Sequence, residues 1–307
     1  MKKIAAKTQK TQKMNKGKTI QIFLPDGNPR GVRIADVTRG TVKCLSIPRS
    51  SLELGYKRSE LKNVGVYFLV GTSDSGKNQV YIGEAENCLK RIKQHNQTKD
   101  FWNIVLALVS KTDFFTKSHI KYLEWLCHKE ALETDRFVLQ NSIKPTEPHI
   151  SESLEADLLK DFEEIKLLVS APGFPFFDTI KKPVKKNLLF CKGKNAKAEG
   201  EFIEDGLVVF SGSTCNKDLS RSSQKWLAKI RKQLIDTGIL KLEGNIYRFT
   251  SNHIFSSPSA AAATVLARSA NGWNEWKSDD GKTLHELYRK KIKYSLCLCV
   301  SVAKNHE

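Results

Sequence analysis

Two tyrosines, an arginine and a histidine stand at spacings that suit work on a phosphate. Tyr67 closes the run Gly65-Val66-Tyr67, and Tyr81 opens Tyr81-Ile82-Gly83 after a short polar loop. Arg91 and His95 follow four residues apart on a predicted helix, so their side chains share one face with Asn87. That polar stripe is expected to point away from an apolar stripe of Ala85, Leu89 and Ile92. A helix that buries one side and aims Arg and His from the other is suited to gripping an anion through charge-assisted hydrogen bonds. The plainer alternative is a solvated helix face with two strand tyrosines in the core.

A nearby match carries less chemistry. Gly71 to Asn78 nearly fits a phosphate-binding P-loop and follows a predicted strand. Such a loop needs Ser or Thr after its Lys to hold magnesium, and a helix whose N-terminal amides face the phosphates. Asn78 takes the hydroxyl position here, and Gln79-Val80-Tyr81-Ile82 is strand-like. The segment reads as a hairpin loop.

The elements that must position these residues can be traced along the chain. Strands are expected over 19–24, 31–35 and 42–47, then a hairpin of 64–70 and 79–82. A short helix over 85–95, a strand over 104–109 and a helix from Thr116 to about Glu133 follow. Ser151 opens another helix with an apolar stripe of Leu154, Leu158, Phe162, Ile165 and Val169, stopped by Pro172-Gly173-Phe174-Pro175. Further on come hairpins at Asp205-Gly206 and Glu243-Gly244-Asn245, with a basic amphipathic helix over 219–237 between them. Ser257-Pro258 opens an Ala-rich helix, and Thr283 with Glu286 forms a capping box for a last one.

Composition bounds what this assembly can be. The chain has 307 residues, 40% hydrophobic and 27% charged, which allows about two globular domains and excludes a collagenous, disordered or membrane-spanning chain. Net charge is +18, a surplus that favours a polyanionic partner. Residues 1–18 and 179–198 hold seven Lys each and no acid, so two segments account for most of that surplus. Seven scattered Cys without a Cys-x-x-Cys spacing argue against a disulfide framework or structural zinc and for a reducing, cytoplasmic setting. The amino terminus lacks the apolar stretch of a secretory signal, and the apolar run Tyr294–Val302 is about half the ~18–20 residues a membrane span needs. An anionic-membrane role is not expected, since no amphipathic aromatic face accompanies the Lys tail.

The order Gly-Val-Tyr, loop, Tyr-Ile-Gly, Arg91, His95 resembles the GIY-YIG nuclease superfamily. The resemblance covers about 60–145 and continues through Glu124 in Tyr122-Leu123-Glu124 and Asn141 in Leu139-Gln140-Asn141. It implies an α+β fold, a small antiparallel sheet flanked by helices, that cleaves nucleic-acid phosphodiesters with one divalent metal. Glu124 would then be the ligand of Mg2+ or Mn2+, a hard carboxylate suited to either. Arg91 would stabilise charge on the phosphate, and Asn141 would orient a substrate or metal-bound group. Tyr81 or Tyr67 would orient or deprotonate the attacking water, with His95 the competing base. Gly65 and Gly83 would be positions where a side chain crowds the site. Glu84 departs from the pattern, because some relatives place there a Lys that helps hold water or phosphate. Without the resemblance, Glu124 is equally a surface carboxylate and Asn141 a loop residue, while Asp74, His119 and His128 read as surface or packing residues.

The second half resembles a domain of unknown function that recurs behind such nucleases, and more loosely the RAMA-type domains proposed to recognise modified DNA. The resemblance rests on Ser257 to Ala262, Asn271-Gly272-Trp273, Trp276 and Asp280 to Leu284, within a second small α+β domain. Trp273 and Trp276 beside Arg268 and Lys277 would stack on a base, and Arg221, Lys225, Lys229, Arg231 and Lys232 would contact phosphates. The alternative is that both tryptophans are core. The expected plan is a basic tail (1–17), a strand-rich segment (18–60), a nuclease domain (61–175), a Lys-rich linker (176–199), a DNA-recognition domain (200–293) and a tail (294–307). The expected function is metal-dependent DNA endonuclease without a small-molecule cofactor; the alternative is a non-cleaving DNA-binding or modified-DNA-reading protein.

Overall fold

A computed structural model describes residues 17–73, 77–134, 136–178, 188–220 and 225–290. The expected basic tail up to residue 16, Asp74, Arg221, residues 179–187 of the Lys-rich stretch and the run Tyr294–Val302 lie outside the described residues. The chain divides into two units, 1–179 and 180–307.

The first unit is built on strands β1 (Ile20–Phe23), β2 (Arg33–Val37) and β3 (Val42–Pro48), the short helix α1 (Leu52–Tyr56), and strands β4 (Gly65–Thr72) and β5 (Asn78–Ala85). Helix α2 (Cys88–Thr98), β6 (Trp102–Ser110), α3 (Lys117–Thr134), β7 (Val138–Leu139) and α4 (Glu152–Ser170) complete it. Its sheet runs β1-β2-β3-β6-β4-β5-β7, antiparallel except for the β5–β7 pair. The strands of 18–60 are therefore not a separate leading segment. They extend the sheet, with β3 paired along β6 from Val42↔Ser110 to Pro48↔Ile104.

Strand β4 is buried on both faces, and its alternation sorts the core into two layers. Val66, Phe68 and Val70 pack with Ile120, Leu123, Leu158 and Ile165 from α3 and α4. Tyr67 and Leu69 face the other way, onto Cys88 and Ile92 of α2. Lys77 closes the β4–β5 turn onto Ser73, and Asn78 already begins β5, so a strand and not a helix follows the P-loop-like segment.

The second unit holds β8 (Leu189–Lys192), β9 (Lys197–Ile203), β10 (Gly206–Val209), β11 (Thr214–Asn216), α5 (Lys225–Asp236), β12 (Leu240–Glu243), β13 (Ile246–Phe249) and β14 (His253–Phe255). Helices α6 (Pro258–Leu266) and α7 (Gly272–Glu275) and a π-helical turn, His285–Lys290, follow. The sheets run β14-β10-β9-β8 and β11-β13-β12. Both expected hairpin turns are present, each with its glycine at positive φ: Gly206 at 131° and Gly244 at 60°. Ser257 caps α6 by accepting from the Ala260 N–H at 3.2 Å, with Pro258 in the first turn. Thr283 and Glu286 cap each other reciprocally, and the helix they start is π-helical over its described residues, His285–Lys290. The expected linker is shorter than 176–199. Phe176 and Phe177 are buried in the first unit's core, and 189–192 and 197–199 are strand.

Candidate active site

The sequence-predicted residues of the first unit gather around the end of β5, which β7 leaves unpaired beyond Val80. Helix α2 reaches this edge from one face of the sheet and α3 from the other.

On the α2 side, Tyr67 is fully buried and its hydroxyl lies 2.8 Å from His95 Nε2. Arg91 Nε donates to the same hydroxyl at 3.3 Å, and Arg91 Nη1 donates to Gln94 at 2.8 Å. With its oxygen accepting from Arg91, the phenol is free to donate its proton to a neutral imidazole. Burial, then the Tyr81 phenol, pushes the pKa of Tyr67 well above the usual phenol range, so that it is a weaker acid, against the weaker pull of Arg91. Burial, then Arg91 and Lys99, drives His95 down to about 4. His95 is therefore neutral at pH 7, with Nε2 engaged and Nδ1 buried without a hydrogen-bond partner.

Two expectations change here. His95 is buried beside Ile92 and does not lie on an outward polar stripe with Arg91. Asn87 caps α2 by accepting from the Lys90 N–H at 2.9 Å and faces no ligand site. Of the three candidate bases, Tyr67 is sealed and His95 is occupied. Tyr81 is the one that is partly exposed, its ring 5.1 Å from His95 and 6.2 Å from Tyr67, under the Lys99 ammonium at 4.5 Å.

Gly83 makes this packing possible, because a Cβ there would fall on the Tyr67 hydroxyl and lie 3.0 Å from the Tyr81 ring. Gly65 serves strand packing instead; a Cβ there would meet the Leu108 carbonyl of β6 and, at 3.1 Å, Cys88 Sγ.

On the α3 side, Glu124 is partly buried near the backbone of Glu84. Its carboxyl is pushed up to about 7, first by burial and then by the Glu84 carboxylate, with Lys117 and Arg91 pulling the other way. Arg91 and Glu124 thus belong to one electrostatic site although their helices pack on opposite faces. Glu84 does not stand open toward an incoming phosphate: Lys117 holds it at 2.8 Å and reaches Glu86 at 3.3 Å. Sequence reading missed Lys117. The signal was available, since seven residues separate it from Glu124, two turns on the same helix face.

Asn141 does not face the site with its polar groups free. Its Oδ1 accepts from the Ile82 N–H at 3.0 Å and its Nδ2 donates to the Ile82 carbonyl at 2.7 Å. The side chain continues the β5–β7 pairing by one step and pins the strand between Tyr81 and Gly83. His119 and His128 are buried packing residues, and His119 Nδ1 accepts from the Thr116 N–H at the start of α3.

The donor set fits a hydrated divalent cation. Glu124 is a hard, partly buried carboxylate beside another carboxylate, with less compensating charge than it needs. Among the described residues no group of three or more His, Cys, Asp or Glu is placed to cage a metal. Mg2+ suits such a place, because it keeps several waters and takes one or two carboxylates plus substrate phosphate.

In the second unit the predicted contacts separate into two groups. Lys225, Lys229 and Lys232 are exposed on α5. Arg231, on the same helix, is 3% exposed and donates to the carbonyls of Thr264, Asn216 and Lys217 at 2.6, 2.6 and 3.1 Å. It ties α5 to α6. Trp276 is fully buried with its indole N–H on the Pro258 carbonyl at 3.1 Å, so it is core. Trp273 packs edge-on against Phe202 and carries the Arg289 guanidinium 3.8 Å over its ring, which occupies the face expected to stack on a base.

No curated protein and no solved structure matches the chain. Residues 189–288, which run from β8 into the π-helical turn, match a known family, Domain of unknown function (DUF4357), and the second unit is similar to that domain.

Proposed function

We propose that the first unit is a metal-dependent endonuclease of the GIY-YIG type that hydrolyses DNA phosphodiester bonds. We further propose that the second unit contributes DNA recognition. The observation that supports this reading is that Arg91 and Glu124, on helices packed against opposite faces of the sheet, lie near enough to influence each other electrostatically, with Arg91 bonded to the Tyr67 hydroxyl beside Tyr81. A binding module has no need for a guanidinium, an under-compensated carboxylate and a partly exposed phenol at one point.

Glu124 would hold Mg2+ or Mn2+, which supplies Lewis-acid polarisation of the phosphate and acidifies a bound water. Arg91, anchored through Nε on Tyr67 and through Nη1 on Gln94, would present Nη2 to the charge that grows on the phosphate oxygens. Tyr81 would orient the attacking water or, as a phenolate and with the metal's assistance, accept its proton. Tyr67 and His95 hold Arg91 and the Tyr81 ring in place. Lys117 neutralises Glu84, so the carboxylate at that position does not repel the substrate.

The second unit's support is its exposed Lys225, Lys229 and Lys232 on α5, together with the association of such domains with nucleases that the sequence resemblance implies. The test is incubation of the full chain with supercoiled and linear duplex DNA in Mg2+ or Mn2+. Wild type is expected to cut, and Glu124→Ala and Arg91→Ala are expected to lose at least about 10²-fold in rate. Identical behaviour of wild type and Glu124→Ala under every condition refutes the nuclease assignment and leaves the non-cleaving DNA reader.

A further inference from the structure

The two faces of the first unit's sheet carry opposite charge. One face is covered by α1, the 310 turn Ser59–Lys62 and α2. Residues 52–62 and 88–99 hold seven basic residues against two acidic ones, and α2 itself carries no acid. Lys57, Lys62, Lys90 and Lys93 are exposed there. The other face is covered by α3 and α4, which hold five basic residues against nine acidic ones. Glu152, Glu155, Asp157 and Glu163 are exposed along α4.

We infer that the phosphate backbone of a DNA duplex docks on the α2 face, along Lys90 and Lys93 and the flanking Lys57 and Lys62, and is excluded from the α4 face. The inference rests on the nuclease reading for its choice of DNA and extends it by assigning the substrate's path. Three observations carry it. The turn Ser59–Lys62 packs against α2, so the exposed lysines of both segments lie on neighbouring elements of the same face. Lys93 lies 4.9 Å over the Tyr56 ring, which holds its ammonium at the surface of that same face. Arg91, on the same helix as Lys90 and Lys93, is partly exposed and donates to the buried Tyr67 hydroxyl, which links this basic helix to the candidate catalytic site. A strand laid along α2, whose 11 residues span about 16 Å, would pass a phosphate to Arg91 and Glu124. A duplex approaching over α4 would meet a carboxylate row and be repelled.

The experiment is fluorescence anisotropy of a labelled duplex titrated with the full chain in EDTA, between about 50 and 200 mM salt. It compares wild type with K90E/K93E and with K160E/K166E, the same charge change made on α4. K90E/K93E is expected to bind at least about tenfold more weakly and to lower the slope of log K against log salt by about 2, one for each phosphate no longer neutralised. K160E/K166E is expected to lose less than half of that affinity. Equal losses in both variants, or an unchanged slope in K90E/K93E, overturn the docking face. Tighter binding of a duplex RNA than of the DNA, sensitive to the same reversals, overturns the assignment to DNA. Equal melting temperatures for all three proteins exclude misfolding as the cause. A wild type that binds through Lys90 and Lys93 but never cuts in Mg2+ or Mn2+ leaves the docking face standing and removes the nuclease reading; cutting with no effect of the reversals does the opposite.

Discussion

The Tyr67 hydroxyl and His95 Nε2 lie 2.8 Å apart in the interior of the first unit, with Arg91 Nε on the same oxygen at 3.3 Å. A strand tyrosine and a helix histidine, 28 positions apart, thereby fix the rotation of α2 against the sheet. That rotation decides where the Arg91 guanidinium emerges. Two of the three groups that the sequence offered as bases, Tyr67 and His95, thus serve to hold the arginine.

This assigns different consequences to the two tyrosines. Tyr67→Phe leaves His95 without its partner and Arg91 without its anchor, and is expected to cost about 1–3 kcal/mol in urea unfolding. Its cleavage rate is expected to fall about 10²-fold through misplacement of Arg91. Tyr81→Phe is expected to keep wild-type stability while losing about 10²–10⁴-fold in single-turnover rate. Equal stability losses in both would contradict the separation of roles.

His95 and Glu124 should make stability respond to pH in opposite directions. His95 is depressed from 6.5 to about 4, so the unfolded chain binds the extra proton and the fold weakens as pH falls from 6.5 toward 4. Glu124 is raised from 4.5 to about 7, so the folded chain binds the extra proton and the fold weakens as pH rises from 4.5 toward 7. Neither slope exceeds about 1.4 kcal/mol per pH unit, and that of Glu124 is smaller because its carboxyl is partly solvated. Within the full chain, His95→Gln is expected to expose the falling limb and Glu124→Gln the rising one. Added Mg2+ or Mn2+ is expected to raise the melting temperature of wild type at pH 8 and not that of Glu124→Gln.

Gly83→Ala places a Cβ where the Tyr67 hydroxyl sits, against a buried group that cannot move without breaking its bonds to His95 and Arg91. A loss of about 1–3 kcal/mol is expected, together with loss of cleavage. Gly27→Ala, at a φ of 68° in an open surface turn, meets no neighbour, and its smaller cost comes from backbone conformation alone.

In the second unit the basic residues of α5 should divide by burial. Arg231→Met leaves three carbonyls without their donor and is expected to cost about 2–4 kcal/mol; Trp276→Ala is expected to cost about 3–5 kcal/mol. Lys225→Gln with Lys229→Gln and Lys232→Gln is expected to leave the melting temperature within about 2 °C, since surface changes stay near ±0.5 kcal/mol. That triple variant is expected to lower the salt dependence of DNA binding by up to about 3. Unchanged salt dependence would remove α5 from the DNA interface.

What the sequence determined by itself is local. Runs rich in Val, Tyr and Phe on either side of a Gly/Ser/Asp loop placed the β4–β5 hairpin, Ser257-Pro258 started α6, Thr283 and Glu286 formed their reciprocal cap, and helical spacing put Leu158, Phe162 and Ile165 on one buried stripe. These follow from backbone preference and periodicity, which act over a few residues. Tertiary structure decided which polar groups face solvent. Spacing put Arg91 and His95 on one helix face, but only packing against Tyr67 separates a half-exposed guanidinium from a buried imidazole. Spacing made Arg231 look like Lys229, and only the carbonyls of Asn216, Lys217 and Thr264 show it to be a strut. Asn141 and Lys117 found their roles through the Ile82 backbone and Glu84, contacts across 59 and 33 positions that no local pattern encodes. A charged or amide group can satisfy its hydrogen bonds with water or with a distant backbone equally well, and the choice is made only when the chain folds.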